Sequence, residues 1–116
     1  MKLEGPQRRL TIFIGEGDHH GRTPLATEIV QRAHAAGLAG ATVLRGIEGF
    51  GASNHVHTTR ILSLSDDLPI VIAIIDTAER IDAFVPELEA LISEGLVIID
   101  DVHVVRYVGR PKDPDR

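Results

Sequence analysis

Gly49-Phe50-Gly51 heads the polar run Ala52-Ser53-Asn54-His55-Val56-His57-Thr58-Thr59-Arg60. Glycines on either side of one residue let backbone N–H groups meet a phosphate or carboxylate with no side chain between, an anion nest. The same pair also serves a tight bend between strands. Ser53 adds a hydroxyl just beyond. Arg45, Arg106 and Arg110 are the cations best placed to meet such an anion, since a guanidinium is a planar fork of donors; ordinary surface ion pairing is their other use. His55 and His57 point to one side of an extended segment and could share a divalent metal, with His19, His20 and His103 as further imidazoles. Solvated loop histidines are the plainer reading of them. Glu16, Asp18, His19 and Arg22 crowd an earlier loop, and carboxylates beside a histidine can do acid–base work. No serine, cysteine or lysine nucleophile stands with them, so a solvated turn explains them better than a catalytic site. Glu16 remains a candidate contributor to a ligand cleft.

The chain as a whole narrows these options. Its 116 residues suit one domain, and the net charge of −5 with no basic cluster argues against nucleic acid as a partner. Cysteine is absent, which removes disulfides and thiolate metal sites and fits a reducing, cytoplasmic setting. No run approaches the roughly 20 apolar residues of a membrane span, and the N-terminus lacks the apolar stretch of a signal peptide. With three Phe and one Tyr, aromatic stacking has a small part to play.

The elements that must position the candidate residues follow from periodicity. Residues 1–7 read as a flexible lead-in, 8–108 as the folded domain and 109–116 as a disordered tail. Arg8 to Gly15 alternates as a first strand, with Leu10, Ile12 and Ile14 on one face. Thr23 is expected to cap a helix that has Pro24 at its first position and ends at Gly37. A second strand covers Ala41 to Ile47 and enters the hinge at Gly49. Beyond the loop, an apolar alternation at Ile61, Leu62 and Leu64 makes the whole stretch a long hairpin whose tip is free to read a ligand or partner. Leu68 to Ile75 is a third strand, apolar on both faces. Asp76-Thr77-Ala78-Glu79 opens a second helix in the manner of a capping box; Pro86 lies within it and Gly95 closes it. A last strand runs from Leu96 to about Val108. Two βαβ halves give a ferredoxin-like βαββαβ sandwich in which the first and third strands are central. Because the third strand is apolar on both faces, the sheet face away from the helices is expected to be covered by another subunit.

The hinge and the strand after it resemble the PII signal-transduction superfamily, in Gly49-Phe50-Gly51 at the base of a T-loop and in Asp67-Leu68-Pro69 at the entry to the third strand. The nearer likeness is to the PII-like branch called domain of unknown function 190. It spans roughly residues 8–108, through Ile14-Gly15-Glu16, Pro24-Leu25, Gly40-Ala41-Thr42-Val43-Leu44-Arg45-Gly46, Gly49-Phe50-Gly51-Ala52-Ser53 and Glu94-Gly95-Leu96-Val97. The resemblance implies a homotrimer of ferredoxin-like subunits with ligand clefts between them at the loop bases. Arg106 and Arg110 lie where PII proteins bring basic residues to the nucleotide. By this likeness the protein is expected to be a regulator, not an enzyme. It would sense a small anionic metabolite, an adenine nucleotide first, and act through residues 50–60 on a partner such as a membrane transporter or channel. The alternative within the superfamily is divalent-metal binding like that of CutA proteins, through His55 and His57. Two departures stand out. Residues 51–60 hold no tyrosine, and Gly95-Leu96 runs straight into the last strand where PII proteins carry a glycine- and lysine-rich phosphate loop.

Overall fold

The computed structural model describes residues 3–51, 57–58 and 67–109. In chain order the elements are β1 (Gly5–Gly15), β2 (His19–His20), β3 (Thr23–Pro24), α1 (Leu25–Ala35), β4 (Thr42–Arg45), β5 (Glu48–Gly49), β6 (His57–Thr58), β7 (Pro69–Asp76), α2 (Ala78–Leu91) and β8 (Leu96–Val104). Four strands make one antiparallel sheet in the order β4-β7-β1-β8, so β1 and β7 are central as their apolar sequences require. Two small ribbons, β2–β3 and β5–β6, stand apart from it. This is the expected two-layer α+β sandwich.

Alternation decides which side chains face the helices. Leu10, Ile12 and Ile14 of β1 lie opposite Ile74, Ile72 and Ile70 of β7, and all six are buried. Leu25, Ile29 and Ala33 of α1 and Ile81, Phe84 and Leu88 of α2 close over them at helical spacing. Each fully buried aliphatic side chain stabilises the fold by about 1.5–3 kcal/mol relative to exposure.

Helix ends show where local sequence rules held and where they did not. Gly37 takes φ +78°, and the N–H groups of Gly37 and Leu38 donate to the carbonyls of His34 and Ala33, each at 3.1 Å, closing α1 as a glycine-terminated turn should. Its start differs from the expectation. Thr23 and Pro24 pair with His20 and His19, so the helix begins at Leu25, after Pro24 in an extended conformation and without a side-chain cap. At α2, Thr77 Oγ1 accepts the Arg80 N–H at 3.2 Å. The reciprocal half of a capping box is missing, because Glu79 stands one position short of where it would reach back. Asp76, fully buried, accepts the N–H groups of Thr77 (2.6 Å) and Ala39 (2.8 Å), joining the end of β7 to the turn between α1 and β4.

The N-terminal boundary also moves. Gly5 to Gln7, expected in a loose lead-in, pair with Val104 to Val102 of β8, and Leu3 is buried. A nine-residue β8 offers partners that a strand beginning at Arg8 would leave unused. The final strand stops at Val104 and not near Val108. Residues 110–116 of the expected tail lie outside the described residues.

The other face of the sheet carries two uncharged rows that cross all four strands, one of them wholly apolar. Leu44, Val71, Phe13 and Leu96 form one row, and Thr42, Ala73, Thr11 and Ile98 the next. Leu96 is 54% exposed and Leu44 59%. A third row holds Ile75, Arg9 and Asp100. There Arg9 donates two hydrogen bonds to Asp100, at 3.0 and 2.7 Å, and they hold the aspartate carboxyl below its usual range.

Candidate functional site

A cleft of about 330 Å³ opens where the hinge passes the end of the sheet, lined by Phe13, Ile14, Gly15, Asp18, Gly49, Phe50, Gly51, Asp67, Pro69, Glu94, Gly95 and Leu96. Three turns meet there: the one after β1, the hinge beginning at β5, and the turn between α2 and β8. The first is fixed from within. Gly15 N–H donates to Asp18 Oδ2 at 2.9 Å, Glu16 N–H to the Leu68 carbonyl at 2.8 Å, and Gly17 N–H to Asp67 Oδ1. A Cβ on Gly15 would stand 2.8 Å from Asp67 Oδ1, so the carboxylate packs where a side chain would otherwise be.

The hinge is fixed by Pro69. Gly46 N–H donates to the Pro69 carbonyl at 2.7 Å, and a Cβ on Gly46 would meet Pro69 Cγ at 2.8 Å. At Gly49 the same proline carbon would be 3.1 Å away. Gly49 then pairs with His57 in the β5–β6 ribbon, and Phe50, 65% exposed, follows at the cleft wall. Gly51 differs from Gly49: it is absent from the positive-φ positions, and among the described residues a Cβ there would meet nothing within 4 Å. The steric demand falls on Gly46 and Gly49. In the third turn, a Cβ on Gly95 would stand 2.7 Å from the Phe13 carbonyl oxygen, so the α2–β8 turn passes β1 there with no room for a side chain.

Of the residues expected at the site, the structure brings Gly49, Phe50 and Gly51 together at the cleft. Arg45 and Glu16 are not among its lining; they bind each other at 3.0 Å across the neighbouring strand ends. Arg106 lies at the far end of the sheet from the cleft within one chain, since Val104 pairs with Gly5 whereas Leu96 pairs with Phe13. Ser53, His55 and Arg110 lie outside the described residues, and His57 is described through its backbone alone. Among the described residues, no group of three or more His, Asp or Glu side chains is placed to hold a metal ion.

Sequence reasoning missed Asp67, Glu94, Phe13 and Pro69 as lining residues. Asp67 and Pro69 read as the entry to the third strand and Glu94 as part of a family-like stretch, because what brings them to the hinge is contact between turns far apart in the chain. The two close glycines, Gly15 and Gly17, were the available signal that something packs against that turn. No helix is long and apolar enough to cross a membrane among the described residues.

Comparison with known proteins agrees with this geometry. Residues 7–104 match the model of the DUF190 family, described as an uncharacterized ACR. A UPF0166 protein of Aquifex aeolicus is 33% identical over 99 residues, covering 85% of this chain and 93% of its own. A UPF0166 protein of Methanocaldococcus jannaschii is 36% identical over 98 residues, covering 84% and 90%. Among solved structures, CPII of Thiomonas intermedia K12, a nitrogen regulatory PII-like protein bound to ADP, AMP and bicarbonate, is similar at a TM-score of 0.55 with 25% identity, covering 87% of this chain and 90% of that one. A PII-like signaling protein of Thermus thermophilus shares the fold at a TM-score of 0.60 with 21% identity, covering 90% and 94%.

Proposed function

The chain belongs to the DUF190 family of PII-like proteins, and we propose that it is a small signalling protein that binds an adenine nucleotide in the cleft at the hinge. The observation that carries this reading is the cleft itself. Three glycine-bearing turns converge on a space of about 330 Å³ whose walls mix exposed backbone, apolar side chains and carboxylates. One wall is the segment that leads into the 50–60 loop, so an occupant of the cleft bears directly on that loop. In this reading the loop then acts on a partner, a membrane transporter or channel, and the protein works in the cytoplasm without catalysing a reaction. The similarity to CPII, whose structure holds ADP, AMP and bicarbonate, supports a nucleotide and a small anion as ligands.

The apolar rows of the bare sheet face support a homotrimer. Arg106, far from the cleft of its own chain, is in this reading a contributor to a neighbouring subunit's cleft, along with Arg110.

Thermal-shift titration with ADP, AMP, bicarbonate, inorganic phosphate and divalent metals, each alone, tests the ligand. A nucleotide should raise the melting temperature in a concentration-dependent way, by about 2.7 kcal/mol of stabilisation at a hundred times its dissociation constant. A response to metals with none to nucleotides would overturn the reading in favour of a CutA-like role. Sedimentation equilibrium tests the assembly, which a stable monomer at micromolar concentration would refute.

A further inference from the structure

The segment that follows β8 is exposed throughout, yet it is tied to the body of the domain. Val104 ends the strand, and Val105, Arg106, Tyr107, Val108 and Gly109 are all exposed, Val105 at 84% and Val108 at 69%. No side chain among them is buried, so packing into the core does not hold the segment. Tyr107 reaches back instead. Its hydroxyl donates to the Ala39 carbonyl at 3.2 Å. β8 and β4 are opposite edges of the sheet, so this bond joins the segment leaving one edge to the turn that leads into the other.

The acceptor stands on a turn that is itself held in place. Ala39 N–H donates to Asp76 Oδ2 at 2.8 Å, and the fully buried Asp76 also accepts the Thr77 N–H at 2.6 Å. Two residues before Ala39, the Gly37 carbonyl accepts from the Arg80 guanidinium at 2.9 Å. A phenol bonded to a carbonyl on such a turn is fixed at its far end, and only two side-chain torsions have to be ordered for it to fix the peptide behind it. We infer that Tyr107 latches the segment after β8 to the turn between α1 and β4, making residues 105–109 a strap that one neutral hydrogen bond closes. Arg106 is next to the latch and moves with it. Tyr107 is thus a positioning residue for Arg106. The latch stands apart from the nucleotide reading above; its use in placing Arg106 for a neighbouring cleft rests on that reading.

Trypsin reports the strap directly, because it cleaves after Arg106 and needs an opened stretch of chain to do so. Tyr107→Phe deletes the hydroxyl alone and keeps an aromatic residue beyond the scissile bond. Release of residues 107–116, followed by mass spectrometry and referred to the same cleavage in synthetic peptides of residues 101–112, should quicken about two- to tenfold. That is the shift in an opening equilibrium expected when one neutral hydrogen bond is lost. Cleavage after Arg9, in the central strand β1, should not change, and the melting temperature should stay within about 2 °C of the parent, since no core contact is removed. A variant cut after Arg106 at the parent's rate would overturn the latch, and so would an equal rise after Arg9, which marks general loosening. In titrations with ADP, Tyr107→Phe should weaken binding by no more than the tryptic factor, and by nothing further once Arg106→Ala is present. Unchanged affinity in Tyr107→Phe, or two additive losses, would refute the placing of Arg106 and leave the latch. A parent that binds no ADP would refute the nucleotide reading and that use with it, while the tryptic result decides the latch alone.

Discussion

Gly95→Ala is the sharpest probe of how the cleft is built. The added methyl would stand 2.7 Å from the Phe13 carbonyl oxygen, 3.2 Å from Ile14 Cγ2 and 3.4 Å from Ile92 Cγ2. Carbon and carbonyl oxygen in favourable contact sit about 3.3 Å apart or more, so the turn or the strand has to shift by roughly 0.6 Å. The strand cannot readily do so: β1 is central, laddered to β7 on one side and β8 on the other. The shift therefore falls on residues 93–96, which carry Glu94 and Leu96 at the cleft wall. Overpacking of this kind costs about 1–3 kcal/mol. For a domain near 100 residues each kcal/mol moves the melting temperature by about 4 °C or more, so a fall of at least about 4–12 °C is expected. The matched control is Gly51→Ala, where the methyl meets nothing within 4 Å among the described residues. That change should stay within about 0.5 kcal/mol of the parent. Differential scanning calorimetry of the pair decides the matter. If Gly95→Ala melts within 2 °C (about 0.5 kcal/mol) of the parent, or if Gly51→Ala falls as far as Gly95→Ala, the steric account of the turns is wrong.

Three further outcomes follow from the core and its edges. Ile72→Asp places a carboxylate at a fully buried position between Ile12 and Val43 on the neighbouring strands, and should abolish the cooperative fold by circular dichroism; a soluble variant with native melting would misplace β7. Asp76→Ala leaves the Ala39 and Thr77 N–H groups without their acceptor and should lower stability in urea by about 2–4 kcal/mol, whereas a loss below 0.5 kcal/mol, the range of ordinary surface changes at about that value, would show that the buried carboxylate is dispensable. Asp100→Asn tests the bare-face ion pair through pH: the folded-state pKa is lowered by the Arg9 hydrogen bonds, so the contribution is present above the ordinary aspartate value of about 3.9 and is lost as pH falls through the folded one. The difference in urea midpoint between parent and variant should be open at neutral pH and close in acid, and a difference independent of pH would refute the pairing.

What the sequence disclosed depended on the range of the interaction. The central strands were legible because alternation at Leu10, Ile12 and Ile14 and at Ile70, Ile72 and Ile74 is a local, period-two signal that the sheet uses directly. Gly37 was legible for the same reason, since the helix it closes ends at Ala35, two residues before it in the chain. Thr23 misled because His19 and His20 compete with the helix for its backbone, and nothing in Thr23-Pro24 announces that ribbon. At the hinge, sequence marks Gly46, Gly49 and Gly51 alike. Only Pro69, some 20 residues further on, separates the two that must lack a side chain from the one that need not. Arg45, a candidate for an anion, and Glu16, a candidate contributor to a ligand cleft, turned out to answer each other for the same long-range reason.

The cleft and the bare face are not independent features. Phe13 and Leu96 are directly opposite each other in the β1–β8 ladder, both point to the face that the helices do not cover, and both line the cleft. Their row continues through Val71 to Leu44, the residue next to Arg45 in the strand that becomes the hinge. A second copy seated on that face would therefore press on one wall of the cleft while the hinge forms another. An occupant of the cleft would in turn touch that same surface. Binding and assembly that share side chains are linked, because whatever favours one arrangement of Phe13 and Leu96 favours both processes or opposes both. Gly51, the residue that leads into the loop, lines the same cleft, where those two influences meet. In the proposed function, this is the route by which one short chain converts the presence of a small ligand into a change at its loop.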